Sequence, residues 1–545
     1  MTDTAVHAEL TADVAVRRAL PAQPSIAIEA RSGGSETMAL LTCPGTAGTA
    51  PLVDLISEAS TRPIRSVPKR AALSGGAGTY VGRPRGLSGA FRVGLIIVAT
   101  GVAFGPAIRT NVLAIIDGSP TAYLLLLPFW ALIIMYSVVH DPSRREINDT
   151  EFDMILTVLI MGVAGFSSTL ALPRIPAAAA FWHAELVLPM IWILGLSVSL
   201  FGVRRVFRAY PAWLFVAACF PPNFLIAGSA FGGSTVAFGL LTVVFAVSAI
   251  TIALRRSKLK WFMAPILLAA GSVGVLALHG AQPAVVYLLP AGVLTLIGAL
   301  AVRTSHQLIQ LTLPQLSPAF VIVALLSTVL MVFVAPVPTP YLAASDLARV
   351  KPDWVKSLSG ANVKVSGPTV YDWGPRVLGE GGSAQRFRLE HNGLTAYLDV
   401  FSTRDLGRFA STRLGVWYGA APPAHAEEVF SGSDSVIEKF TTLDNRMGTI
   451  KSPDDPVWAA RGWYWRCGNG NQTVYQSVYL ITSRLETAPN TVPTPEAPSP
   501  VSTVIQPMAF IIRAESRAPD IPPYRSKELT GLARLIVSTA GGLHS

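Results

Sequence analysis

Gly232-Gly-Ser-Thr-Val-Ala-Phe-Gly-Leu-Leu-Thr-Val-Val-Phe-Ala-Val-Ser-Ala-Ile-Thr-Ile-Ala-Leu254, followed at once by Arg255-Arg-Ser-Lys-Leu-Lys260, decides the fold class. The run carries no charge over a length that, as a helix, crosses about 30 Å of hydrocarbon. The basic cluster that stops it is the mark of a helix end at the cytoplasmic surface. Working outward, comparable runs lie near 93–115, 121–139, 154–173, 185–203, 210–228, 262–279, 283–302 and 318–336. The pattern predicts an α-helical polytopic membrane protein with about nine transmembrane helices. Composition agrees, since charged residues make up 14% of the 545-residue chain against about 25% in soluble domains.

The formal net charge of +10 is explained by its placement. Alternate loops carry Arg144 and Arg145, then Arg204, Arg205 and Arg208, then the 255–260 cluster, then Arg303; the intervening loops carry Arg109 and Arg174. The positive-inside rule then puts the amino terminus in the cytoplasm and, after nine spans, the carboxyl-terminal region outside a cell membrane. The predicted partner of the basic residues is therefore the lipid bilayer, with no nucleic acid.

Three regions follow. Residues 1–88, rich in Ala, Thr, Ser, Gly and Pro without apolar periodicity or a signal-peptide pattern, are expected to form a disordered cytoplasmic tail. Its basic end (Lys69, Arg70, Arg83, Arg85 and Arg92), beside the first span, is expected to serve as an orientation signal. Residues 89–336 form the transmembrane domain, and 337–545 an extracytoplasmic α+β domain. In that domain His391-Asn-Gly393 reads as a hairpin turn between strands at 384–390 and 394–401. A second hairpin pairs 462–467 with 473–481. A Pro/Thr-rich insertion at 487–500 is expected to be disordered, followed by a strand near 502–514 and a helix from Ser526.

Chemistry-bearing residues are sparse. Cys43, Cys219 and Cys467 fall in different regions without metal-ligand or redox spacing, so neither a disulfide, a metal nor a cofactor is expected. Asp153 and Glu185 lie near helix ends, which argues against a proton-coupled transporter. Arg109, Arg174, His183 and His279 fall at the predicted outer face, where they are candidates to bind an anionic headgroup or carboxylate. Trp463, Trp465 and Trp417 belong to an aromatic set in the outer domain and are candidates for glycan or partner contact. Strand alternation places Trp463 and Trp465 on one face and Tyr464 on the other.

Ser119-Pro-Thr-Ala-Tyr-Leu-Leu-Leu-Leu-Pro128, and Arg204-Arg-Val-Phe-Arg-Ala-Tyr-Pro211 leading into Phe220-Pro-Pro222, resemble the exosortase/archaeosortase family. Gly393–Val400, Gly462–Trp465 and Met508–Arg513 are similar to the exosortase-associated accessory domain. The resemblance implies a multi-pass envelope protein connected with sorting of tagged proteins beside exopolysaccharide synthesis. The family's Cys-Ser-Gly-like motif is absent, and Cys219 is followed by Phe220 and Pro221. The implied role is thus an exosortase-like or accessory protein of the bacterial cell envelope without thiol transpeptidase activity. Its outer domain would bind an envelope polymer, a lipid-linked precursor or a partner protein. A lipid-linked-sugar glycosyltransferase or polysaccharide polymerase is the alternative, weakened by an outer loop offering a single acid, Asp117. A transporter comes third.

Overall fold

The structure is a computed structural model describing residues 89–139, 150–305, 318–335, 343–418, 427–429, 439–444, 458–468, 473–483, 492–512 and 526–541. The tail through residue 88, including Cys43, and the domain boundary near 336 lie outside the described residues.

The helical region comprises α1 (Gly89–Ile116), a 3-10 turn (Pro120–Leu125) leading into α2 (Leu127–Val139), and α3 (Thr150–Phe166). Next come α4 (Pro176–Phe181), α5 (Ala184–Phe201), α6 (Val203–Arg208), α7 (Tyr210–Ala218) and α8 (Pro221–Ala230). It ends with α9 (Thr235–Ala253), α10 (Lys260–Ala277), α11 (Pro283–Ser305) and α12 (Pro318–Val334). Among the described residues seven helices are long and apolar enough to cross a membrane, or eight if α7 and α8, bent by 49°, form one span. Helix α12 is apolar but shorter, at 17 residues. Each of the nine expected runs thus coincides with a helix or bent pair, while the strict length test passes fewer.

The bend follows from chemistry at Cys219-Phe-Pro-Pro222. Pro221 and Pro222 supply no N–H to carbonyls of the preceding turn, and Phe220 adopts an extended conformation that ends α7. The Cys219 carbonyl freed by the break accepts a 2.7 Å hydrogen bond from the buried Tyr123 hydroxyl. Polar groups between helices are paired in the same way: Trp130 Nε1 donates to Thr295 Oγ1 at 2.8 Å, and the Val203 amide donates to Asp153 Oδ1 at 2.7 Å.

Beyond the helices the chain builds an eight-stranded sheet of order β2-β3-β4-β8-β7-β6-β5. Its strands are β1 (Arg349–Val350), β2 (Lys364–Val370), β3 (Ser383–His391), β4 (Leu394–Thr403), β5 (Glu427–Val429), β6 (Lys439–Asp444), β7 (Trp458–Cys467) and β8 (Val474–Ser483). The path is antiparallel, and β1 adds in parallel to the far end of β7. Both expected hairpins form. Asn392 and Gly393 take φ of 47° and 78°, the left-handed pair that a two-residue turn requires, and His391 pairs with Leu394. Short helices α13 (Trp354–Ser357), α14 (Gly374–Leu378) and α15 (Phe409–Thr412) connect the strands.

One sheet face packs against the terminal helix, which starts at Ser526 as expected. Two corrections concern the segment before it. Residues 501–512, expected as a strand, form a π-helical turn (Val501–Ile505) running into α16 (Gln506–Ile512); the terminal helix Ser526–Ala540 is α17. The Ser499 hydroxyl accepts the Ser502 amide at 3.1 Å, supplying a helix start where the apolar run alone suggested a strand. Residues 492–499, within the segment expected to be disordered, lie against the sheet domain. There the Pro493 carbonyl accepts from Arg386 and the Glu496 amide donates to the Trp417 carbonyl.

The second sheet face meets the ends of the membrane helices, and one apolar core runs continuously from Tyr123, Leu225 and Phe238 to Phe401, Trp417 and Tyr479. Gly407 makes the docking possible. A Cβ there would stand 2.3 Å from both the Ala114 oxygen and the Ser119 nitrogen, and the Gly407 amide donates to the Asp117 carbonyl at 2.8 Å.

Candidate functional site

The junction between helices and sheet holds a small cleft with a cavity volume of about 20 Å³. Phe181, Leu225, Ile226 and Phe238 from α4, α8 and α9 form its apolar walls. Arg408, Ser411 and Thr412 from the sheet domain form its polar wall. A 3-10 turn (Leu406–Arg408) runs directly into α15, so these three residues sit at i, i+3 and i+4 and share one face.

Arg408 is 3% exposed. Its Nε lies 3.5 Å from Asp405 Oδ2, and the guanidinium stacks 5.2 Å from the centre of the Phe238 ring. Gly379 backs it, leaving no room for a side chain: a Cβ would stand 2.7 Å from Arg408 Nε. Neither Nη1 nor Nη2 makes a hydrogen bond of normal geometry among the described residues, although the Tyr287 hydroxyl is close enough to interact with the guanidinium. A guanidinium carries five donors, and burying them unpaired is costly. Burial pushes the Asp405 carboxyl up, against the opposing pull of Arg408 and Arg404.

Ser411 is tied to a relay. Its Oγ lies 2.9 Å from His183 Nε2, and His183 Nδ1 lies 3.1 Å from Asn111 Oδ1 and 3.5 Å from Glu185 Oε1. The Asn111 amide nitrogen donates to the Ala107 carbonyl at 3.0 Å and to Glu185 Oε1 at 3.3 Å, which turns Oδ1 toward the imidazole. In the neutral ring, Nδ1 is then the protonated nitrogen, and Nε2 accepts the Ser411 O–H. His183 holds a left-handed conformation (φ 47°, ψ 50°) between α4 and α5, rare for a residue with a side chain. That backbone aims the ring out of the helices toward the sheet domain, an outlier of the kind found at functional sites.

The residues proposed from sequence are distributed unevenly. His183 is 1% exposed and belongs to the relay, whereas Arg109 and His279 are exposed and Arg174 is half-buried. Asp117, half-buried in the loop docked on Gly407, does not line the cleft. Trp463, Trp465 and Trp417 are at most 2% exposed, so none offers an open ring face for a sugar. Alternation holds: Trp463 and Trp465 point to the core beneath α17, while Tyr464 packs against Phe409 on the other face. Cys219 and Cys467 are both buried. Among the described residues no group of His, Cys, Asp or Glu is arranged to hold a metal. Sequence reading missed Arg408, Ser411 and Asn111. The one available signal was a basic residue set among apolar neighbours in Leu406-Gly-Arg-Phe409.

Comparison with known protein families, with curated proteins and with solved structures returns no match.

Proposed function

We propose that the chain is a multi-pass cell-membrane protein of the bacterial envelope whose junction cleft binds an anionic headgroup, a phosphate borne by a lipid or lipid-linked precursor. In this reading the amino-terminal tail is cytoplasmic and the sheet domain extracytoplasmic. The observation that carries it is the buried Arg408 at the wall of a cleft lined by apolar side chains, with Nη1 and Nη2 making no hydrogen bond of normal geometry among the described residues. A buried cation without a full partner is strongly unfavourable, and a phosphate matches the two parallel donors of a guanidinium. Apolar walls beside it suit the start of a lipid tail. An exosortase-like or accessory role accords with such a ligand. Both described cysteines are buried, so this reading assigns them no part in the chemistry.

The test uses the full chain in nanodiscs and a fluorescent phosphatidylglycerol, with diacylglycerol of the same tails as the neutral comparison. We expect a preference of about 10- to 100-fold for the anionic lipid, the range of charge-assisted hydrogen bonds. Arg408→Gln should abolish that preference and Arg408→Lys should reduce it. Equal binding of both lipids by the wild-type chain would refute the reading.

A further inference from the structure

We infer that Ser411 is a nucleophile and His183 its general base, so that the cleft transfers the phosphoryl group of the phosphodiester it binds. The inference rests on the anion site at Arg408 and extends it from binding to chemistry.

Three observations converge. The Ser411 hydroxyl and the Arg408 guanidinium line the same cleft from one face of one helical turn. His183 Nε2 lies within hydrogen-bonding distance of Ser411 Oγ, and Asn111 fixes the tautomer in which that nitrogen is basic. Nucleophile, base and orienting group thus stand in the order that activated serines require. The third observation is the buried Arg408, which pairs with Asp405 through Nε while Nη1 and Nη2 make no hydrogen bond of normal geometry among the described residues. A neutral carboxylic ester would leave Nη1 and Nη2 without an anionic acceptor in the bound state, whereas a phosphodiester anion would supply one beside the Asp405 pair. The charge therefore favours phosphoryl over acyl transfer.

The step balances without a cofactor. Ser411 Oγ bonds to phosphorus as its proton passes to His183 Nε2, and the bond from phosphorus to the leaving alcohol oxygen breaks. Charge gathered on the non-bridging oxygens faces Arg408 Nη1 and Nη2. The departing alkoxide takes the proton from His183, leaving a phosphodiester on Ser411. A second alcohol, or water, then attacks phosphorus and gives its proton to His183. Ser411 leaves and recovers a proton from the same ring.

The experiment treats the full chain in detergent with an alkyl fluorophosphonate, a phosphorus electrophile, and locates the adduct by mass spectrometry. Release of labelled glycerol from phosphatidylglycerol is followed in parallel. We expect a single adduct on Ser411 that is absent in Ser411→Ala. His183→Asn, which tolerates the left-handed backbone and keeps a polar atom near Nδ1, should slow labelling by about 100-fold or more. Both variants should still bind fluorescent phosphatidylglycerol, which shows that the fold and the anion site persist. Intact binding with no adduct on Ser411 would overturn the nucleophile while leaving the anion site standing. Loss of lipid preference from the wild-type chain would instead remove the anion reading. Turnover of p-nitrophenyl carboxylic esters at Ser411 without glycerol release would overturn the phosphoryl assignment in favour of acyl transfer.

Discussion

The two faces of the sheet are built from neighbouring residues of the same strands, yet they meet different surroundings. On β4, Leu398 and Val400 enter the apolar core under α17, with Trp463, Trp465, Val478 and Leu480. Asp399 and Phe401 enter the side that meets the membrane helices. There Arg386 grips Asp399 through two bonds of 2.6 Å, and Tyr418 donates to the same carboxylate at 2.6 Å. Burial pushes the Asp399 carboxyl up, and Arg386 and Tyr418 pull it back. The α17 face is thus held mainly by excluded water. The junction face holds the Arg386–Asp399 pair and, at its edge, the cleft, while the α17 face buries a cation, Arg461, whose Nε donates to Thr530 Oγ1 at 3.2 Å.

That contrast is open to direct attack. The largest expected effect is on the dry face. Trp465→Ala removes a fully buried ring whose Nε1 donates to Gln476 Oε1 at 2.9 Å, and should destabilise the sheet domain by about 3–5 kcal/mol. Thermal unfolding of the full chain in detergent reads it; a loss under 1 kcal/mol would mean that α17 is not the lid of a packed core. On the junction face, Asp399→Ala leaves Arg386 buried beside an empty place and should cost about 3 kcal/mol. The double change Arg386→Met with Asp399→Leu should recover most of that loss. A double variant no better than the single one would show that the pair contributes more than charge compensation.

The smallest effect concerns Cys467, on the dry face near the sheet edge. Burial pushes its thiol up to about 12, and its Sγ lies 3.2 Å from Gln476 Oε1. Only about one thiol in 10,000 is then ionised at pH 8, so native Cys467 should resist maleimide until the domain unfolds. A folded-state value above the unfolded one stabilises the fold below the ordinary thiol range. That contribution disappears as pH rises toward 12. In a chain otherwise free of cysteine, Lys356→Cys, at a side chain 82% exposed, should label readily from outside intact cells. Labelling of Lys356→Cys from the cytoplasmic side alone would reverse the proposed orientation.

Much of this architecture was legible beforehand. Uninterrupted apolar length marks membrane helices because lipid tolerates no unpaired backbone, and the Asn-Gly turn marks a hairpin because two consecutive left-handed residues suit few sequences. The alternation Trp463-Tyr464-Trp465 sorted those rings between faces correctly, because the pleat has period two. The segment at 501–512 misled because a short apolar run suits strand or helix equally, and Ser499 decides between them through a hydrogen bond that periodicity does not see. Similarly, aromatic rings that could serve as a sugar platform or as core are distinguished by burial alone.

By itself, then, the sequence determined the membrane-helix class, the hairpins and the facing of alternate side chains, since each depends on neighbours a few residues apart. Tertiary structure alone decided the site. Asn111, His183, Arg408 and Ser411 come from distant parts of the chain, and they meet because Gly407 lets the sheet domain settle against the helix ends. Contacts of such long sequence separation leave no local period to read. Of the residues chosen for charge and position, the docking drew His183 into the relay, while Arg109 and His279 remained exposed.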